Sequence, residues 1–321
     1  MMSRFRLAVR IQSFEVWSCV LLVAVVGITA LVVRARLDGV GATVECLTPW
    51  VFDNVVYDAA RCDAPVNAFY KINDDEARLV MSAMMVLPLV VGLVLGAGLV
   101  GREIEGGTAA TVWALAGSRR RWLVGRLVPI LAILFALLVF AAITSDVLAA
   151  GRVPWQLGRP AFDDAGMHGP GVVARGLAAF GLALAIGAAS GRMLPILMIS
   201  ALLSVFLWLG GYLLLEAWVD ASSHEVAVPS GFNGWYDGGK FVGALYYLPD
   251  GRVVDTSFDL GALAPPGADA DAWVASLKVV AIGVHSPDYP AWLVTEVATF
   301  GAIGLACLAA TFAIVERRRP F

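Results

Sequence analysis

The chain has 321 residues, a formal net charge of −3, 59% hydrophobic and 15% charged residues, and a mean hydropathy of +0.78. Soluble domains carry about 45–50% apolar and about 25% charged residues, so no single water-soluble core can hide this much apolar surface and lipid must cover it. No basic stripe of the kind that tracks a phosphate backbone is present, which argues against nucleic acid as a partner.

Six apolar stretches are long enough to cross ~30 Å of hydrocarbon as helices of about 20 residues. In chain order, residues 1–16 read as an interfacial helix, with Leu7, Ile11 and Phe14 on one face and Arg6 and Arg10 off it. Span 17–33 follows. A cleaved signal peptide is the competing reading there, but Arg34 and Arg36 stand where a small-residue cleavage site belongs. An outer loop, 34–78, holds Cys46 and Cys62, whose shared oxidising compartment favours a disulfide. Span 79–100 leads into a segment at 101–126, then span 127–148, a loop at 149–171, and spans 172–189 and 194–215. A long outer segment, 216–291, span 292–315 and a tail, 316–321, complete the chain. Every span must be helical, because backbone groups in lipid have no water to bond. The fold class expected is therefore all-α and polytopic, with six transmembrane helices and a small mixed extracellular segment between the last two.

Arginine placement sets the orientation. With the N-terminus inside, the cytoplasmic segments hold Arg4, Arg6, Arg10, Arg102, Arg119, Arg120, Arg121, Arg126, Arg192, Arg317, Arg318 and Arg319, twelve of the 23 basic residues. Only Glu15, Glu103, Glu105 and Glu316 of the 26 acids fall on that side. Both termini are thus expected in the cytoplasm. Lysine appears only at Lys71, Lys240 and Lys278; with the Ala, Val and Gly richness, that bias reads as a GC-rich bacterial genome, and the expected location is then the bacterial plasma membrane.

The outer segment, at about seventy residues, is too long to be a bare connector. A hairpin is expected from 244–248, the turn Pro249-Asp250-Gly251, and 252–256, and Asp271 is placed to cap a short helix running to Leu277. No phosphate loop of the Gly-x-x-x-x-Gly-Lys-Ser/Thr type occurs. His168, His224 and His285 lack metal-ligand spacing, and Ser222-Ser223-His224-Glu225 offers a nucleophile and base only as sequence neighbours. No cofactor, metal or catalytic group is therefore expected on this chain. Four ionisable residues lie near outer helix ends: Asp146, Arg175, Glu216 and Glu296. Charges at membrane depth are costly. Glu296, one turn inside Trp292, is the strongest candidate for an intramembrane functional charge, against a default of solvation at the helix end.

The most informative stretch is 101–126. Gly106 and Gly107 break the second helix, Thr108 is placed to cap a short helix over 109–116, Gly117 ends it, and Ser118 caps the next. Arg119–Arg121 and Trp122 belong at headgroup level. The short helix would lie along the membrane and expose Val112, Trp113 and Leu115 to the cytoplasm, as a surface for a partner.

This run resembles the type 2 ATP-binding-cassette permease family, in which an acidic residue precedes Gly-Thr, a short helix, and Ser/Thr-Arg-x-x-Trp opening the next span. Glu103 or Glu105, Gly107, Thr108, Trp113, Ser118, Arg119 and Trp122 match that pattern, and the order of six spans with a large outer segment before the last matches it too. The resemblance implies that Glu103, Glu105, Gly107, Thr108, Val112, Trp113 and Leu115 dock onto an ATP-binding-cassette ATPase, with ATP and Mg held by that subunit. It also implies a second permease chain, the same or different, and alternating access in an exporter, with the surrounding membrane lipid as a further partner. Two other readings stay open: an ATPase-coupled complex that signals or drives an outer partner, and an intramembrane enzyme acting on lipid-linked substrates. A polar cluster at matched depth across several spans would favour the last.

Overall fold

The computed structural model describes residues 12–47, 58–109, 111, 113, 117–154, 162–227, 239–255 and 260–317. Its helices are α1 (Ser13–Gly39), α2 (Val44–Leu47), α3 (Ala59–Lys71), α4 (Arg78–Glu105), α5 (Arg119–Arg152), α6 (Pro170–Ser190) and α7 (Met193–Ser222), then α8 (Ala270–Ser276) and α9 (Tyr289–Arg317). Six stretches are long and apolar enough to cross a membrane: α1, the continuous helical run Ala59–Glu105, α5, α6, α7 and the run ending in α9. The protein is an all-α polytopic membrane protein. The expected interfacial helix falls mostly on residues outside those described; residues 13–16 are part of α1.

The chain divides into two compact units. The first takes in Met1–Gly158, Gly166–Gly211 and Leu293–Phe321. At its centre α4 buries Met84, Leu87, Val91, Leu95 and Leu99, a three-and-four spacing that lays one apolar stripe along a helix. Against that stripe α6 approaches closely, as the Gly-x-x-x-Gly of Gly92 and Gly96 permits. A methyl on Gly92 would collide with Gly176 O and lie 2.9 Å from Phe180 N. Pro88 and Pro129 sit inside α4 and α5, tolerated in a span where neighbouring helices take up the freed backbone groups.

The second helix begins far upstream of its apolar stretch. Residues assigned to an outer loop from sequence form α3, capped by Asp58, whose side chain accepts the backbone N–H of Ala60 and Arg61 at 3.1 and 3.3 Å. A π-helical turn, Ile72–Ala77, joins α3 to α4. Its polar residues are tied to neighbours: Glu76 pairs with Arg36 of α1, and Asn73 Oδ1 accepts from Arg152 Nε of α5 at 3.1 Å. Hydropathy is low over this turn because polar residues held by partners on α1 and α5 dominate it, so a window average starts the helix too late.

The second unit takes in Arg159–Ala165 and Tyr212–Trp292. It holds an antiparallel sheet of β1 (His224–Ala227), β2 (Lys240–Tyr247), β3 (Val253–Asp255) and β4 (Lys278–Val284), in the order β1-β4-β2-β3. β2 and β3 form the expected hairpin, with Gly251 at φ +85° in its turn. Asp250 accepts the Arg252 backbone N–H and guanidinium, and those two bonds hold its carboxyl below the usual carboxylate range. The short helix α8 is capped by Asp269, which takes the Ala272 N–H at 3.3 Å, rather than by Asp271; the helix starts one residue before Asp271. Phe162, Trp218, Tyr289 and Trp292 make an aromatic core, Phe162 edge-on to Tyr289 and stacked on Trp218.

Candidate functional site

The segment between α4 and α5 is built as two glycine-hinged pieces. Gly106 ends α4 and Gly107 has φ +65°, a left-handed conformation that a side chain would strain. Ala109, Thr111 and Trp113 have helical backbone; Val112 and Leu115 lie outside the described residues. Ser118 opens α5, its hydroxyl accepting the Arg121 N–H at 3.1 Å. Thr108 faces backwards: its hydroxyl donates to Glu103 Oε2 at 2.7 Å and to Glu103 O at 3.3 Å.

The last turn of α4 ties this segment to three other helices. Arg102 pairs with Glu15 of α1. Glu103 Oε1 pairs with Arg126 Nη2 of α5 at 2.6 Å, with both side chains mostly buried. Glu105, although exposed, accepts the backbone N–H of Met193 at the start of α7 at 3.1 Å. Arg119, in the first turn of α5, donates to the last carbonyls of α9: Val315 O at 3.3 Å and Glu316 O at 2.9 Å. Five helices meet around one short loop.

Trp113 departs from expectation. It is 6% exposed and packs in the main core, edge to face with Trp122 at 6.0 Å between ring centroids, with the Arg119 guanidinium 4.9 Å from its ring. The physical reason is that Trp122, one residue into the first turn from Arg121, presents an aromatic partner on the inner side. Turning the indole inward removes a large apolar area from water. What the segment exposes instead is Glu105, Gly106, Gly107, Thr108 and Thr111.

Cys46 and Cys62 are joined by a disulfide, Cα–Cα 5.3 Å, linking α2 to the start of α3. The histidines are dispersed. His224 and His285 come within 5.7 Å between ring centroids, and His168 Nδ1 lies 2.9 Å from Asp146 Oδ1. No group of three or more metal-ligating side chains occurs among the described residues. In the Ser-Ser-His-Glu run, the Ser223 hydroxyl donates to the backbone at Val219 O.

The charges near the far ends of the spans are where sequence reasoning fell short. Glu296 is fully buried rather than solvated at the helix end, and Arg175 does not snorkel. Its Nε donates to Glu296 Oε1 at 2.7 Å, its side chain is 6% exposed, and its guanidinium lies 5.3 Å from the Phe300 ring. Glu216 pairs with Lys240. A pairing between residues on separate helices leaves no local signal; only the rarity of charge at membrane depth pointed to it.

Neither the curated proteins nor the solved structures contain a match to this chain. A family model does match, that of "ABC-2 membrane transporter related" proteins, over residues 17–219. That range runs from the second turn of α1 to near the end of α7, through the whole glycine-hinged segment and its ties to α5 and α7, and on this match the chain belongs to the ABC-2 membrane transporter related family.

Proposed function

We propose that the chain is the permease subunit of an ATP-binding-cassette exporter, driven by a separate ATPase subunit. The observation that carries this reading is the family match over 17–219, and the chain's six spans are half the usual exporter complement, so two permease chains would pair. Both termini would lie in the cytoplasm of a bacterial cell, as the arginine distribution favours. ATP and Mg would be bound by the partner alone.

The ties around Glu103 support a mechanical route. Closure of the ATPase pair would push on the exposed residues Glu105, Gly106, Gly107, Thr108 and Thr111. The push would pass through Arg102, Glu103, Glu105 and Arg119 into α1, α5, α7 and α9 at once. Trp113 would act as an internal wedge that makes the segment move with α5, rather than as an anchor in the ATPase.

The test is co-purification of tagged permease with the ATPase encoded beside it, wild type against Thr111→Arg, which places a bulky charge on the exposed face without touching the core. The expected result is a stable wild-type complex with stimulated ATP hydrolysis, and loss of both in the variant. A wild-type permease that neither retains nor stimulates the ATPase would overturn the reading.

A further inference from the structure

Glu296 has one partnered and one unpartnered oxygen. Arg175 Nε serves Oε1, while Oε2 is buried and has no hydrogen-bond partner among the described residues. A buried carboxylate oxygen without a donor is costly, and a group not belonging to the chain is one of the few things that offset that cost. The backbone of α6 leaves that oxygen bare: at Gly171 an added methyl would stand 2.7 Å from Oε2.

The ion pair also limits what can enter. A cation that took Glu296 alone would strand the buried Arg175 charge, and an anion that took Arg175 alone would strand Glu296; removing one partner of a buried pair is strongly unfavourable. A ligand carrying both charges replaces the pair without leaving either unmatched. Arginine's planar fork suits a phosphate, which it holds through two parallel N–H bonds. The orphaned oxygen calls for a hydrogen-bond donor rather than for positive charge alone, and a primary ammonium supplies both.

Depth identifies where such a ligand comes from. At ~1.5 Å per residue, Arg175 lies about 8 Å into α6 from Pro170 and Glu296 about 10 Å into α9 from Tyr289. Both are at the same end of the bundle, just below the helix mouths. Asp146, half exposed and holding the buried His168, lies at a similar depth in α5, and His168 is within electrostatic reach of Glu296. Phe300 lies under the Arg175 guanidinium and belongs to an apolar cluster with Ala174 and Ala178, against which Val297 and Leu207 pack; such a surface would face acyl chains.

We propose that Arg175 and Glu296 form a binding site for the zwitterionic headgroup of a membrane phospholipid bearing a primary ammonium. Arg175 takes the phosphate and Glu296 takes the ammonium, with Oε2 as the added acceptor. In this structure the site is closed, each charge satisfying the other. The extension to cargo rests on the proposed permease function: the headgroup then gives the chemical class of the transported lipid.

The experiment uses the full chain in mild detergent, equilibrated with phosphatidylcholine vesicles containing or lacking phosphatidylethanolamine, with retained lipid read by native mass spectrometry. The choline headgroup has the same charges but no N–H. The expected result is a preference for the ethanolamine lipid of at least about tenfold, the worth of one charge-assisted hydrogen bond. That preference disappears in the double variant Arg175→Met/Glu296→Leu, which leaves no lone buried charge. The double variant Arg175→Gln/Glu296→Gln, which keeps the shape without either charge, gives the same loss and stands in should the first variant fail to assemble. No preference in the wild type, or a preference that survives both variants, overturns the proposal. No ATPase takes part, so a chain that recruits its ATPase yet shows no lipid preference loses this inference and keeps the permease reading.

Discussion

The Trp113 and Trp122 rings meet edge to face at 6.0 Å, and both indoles are buried. That contact seats the short helical segment on α5. Removing a buried Trp side chain from a core costs about 3–5 kcal/mol. Trp113→Ala should lower the unfolding midpoint of the permease in detergent and make a cysteine placed at Thr111 react faster with a soluble maleimide. Trp113→Phe keeps an aromatic edge for Trp122 and should recover most of both effects. An unchanged midpoint with Trp113→Ala would show that the segment is held elsewhere.

The approach of α4 to α6 depends on a missing side chain. Gly92→Ala should destabilise by about 1–3 kcal/mol, the usual cost of overpacking, because its methyl meets backbone at Gly176 and Phe180 rather than a flexible side chain. Gly125→Ala is the control, since nothing lies within 4 Å of the added methyl there. Thermal unfolding of both variants in the same lipid nanodiscs measures the difference; equal midpoints would contradict the packing.

Much of this architecture was legible before the structure. Six apolar runs, the glycines at Gly106 and Gly107, the Ser118 cap and the Pro249–Gly251 turn each carry a local signal tied to a backbone requirement. Where the reading failed, the deciding partner was remote in sequence. Trp113 was expected outside because a short amphipathic helix gives no hint that Trp122 will fold back over it. Glu296 was singled out as the candidate intramembrane charge against a default of helix-end solvation, but its partner went unread, because Arg175 stands on another helix and hydropathy treats each charge alone. The polar start of the second helix was lost for the same reason: Arg36 and Arg152 arrive from α1 and α5 to satisfy it.

The Cys46–Cys62 bridge closes a loop of sequence separation 16 that holds α2 against α3. By the chain-entropy account a loop of this size is worth about 3 kcal/mol. Protein extracted from membranes under non-reducing conditions should show neither thiol alkylated by iodoacetamide. The double variant Cys46→Ser/Cys62→Ser should melt lower, and reductant should lower the wild-type midpoint without moving the variant's. Alkylation of both cysteines in the unreduced protein would rule the bridge out.

The pair between Glu103 and Arg126 is where stability and coupling separate. Its side chains are 13% and 18% exposed at 2.6 Å, between a surface pair worth up to about 1 kcal/mol and a fully buried one whose loss costs about 3–5 kcal/mol. Glu103→Gln should therefore cost about 2 kcal/mol, and it also weakens the Thr108 hydroxyl's grip on the carboxylate. Exchanging the charges, Glu103→Arg with Arg126→Glu, should restore most of the lost stability because the pair re-forms with reversed polarity. It should not restore the bond that Thr108 donates, because a guanidinium accepts no hydrogen bond. Two readouts then divide the roles. The melting midpoint follows the ion pair, falling in Glu103→Gln and recovering in the exchange. ATP hydrolysis stimulated by the permease in a co-purified complex follows the geometry of the exposed turn, and should stay low in both. Full recovery of stimulation in the exchange variant would mean that the α4–α5 ion pair alone transmits the stroke and that the Thr108 bond to Glu103 takes no part in it.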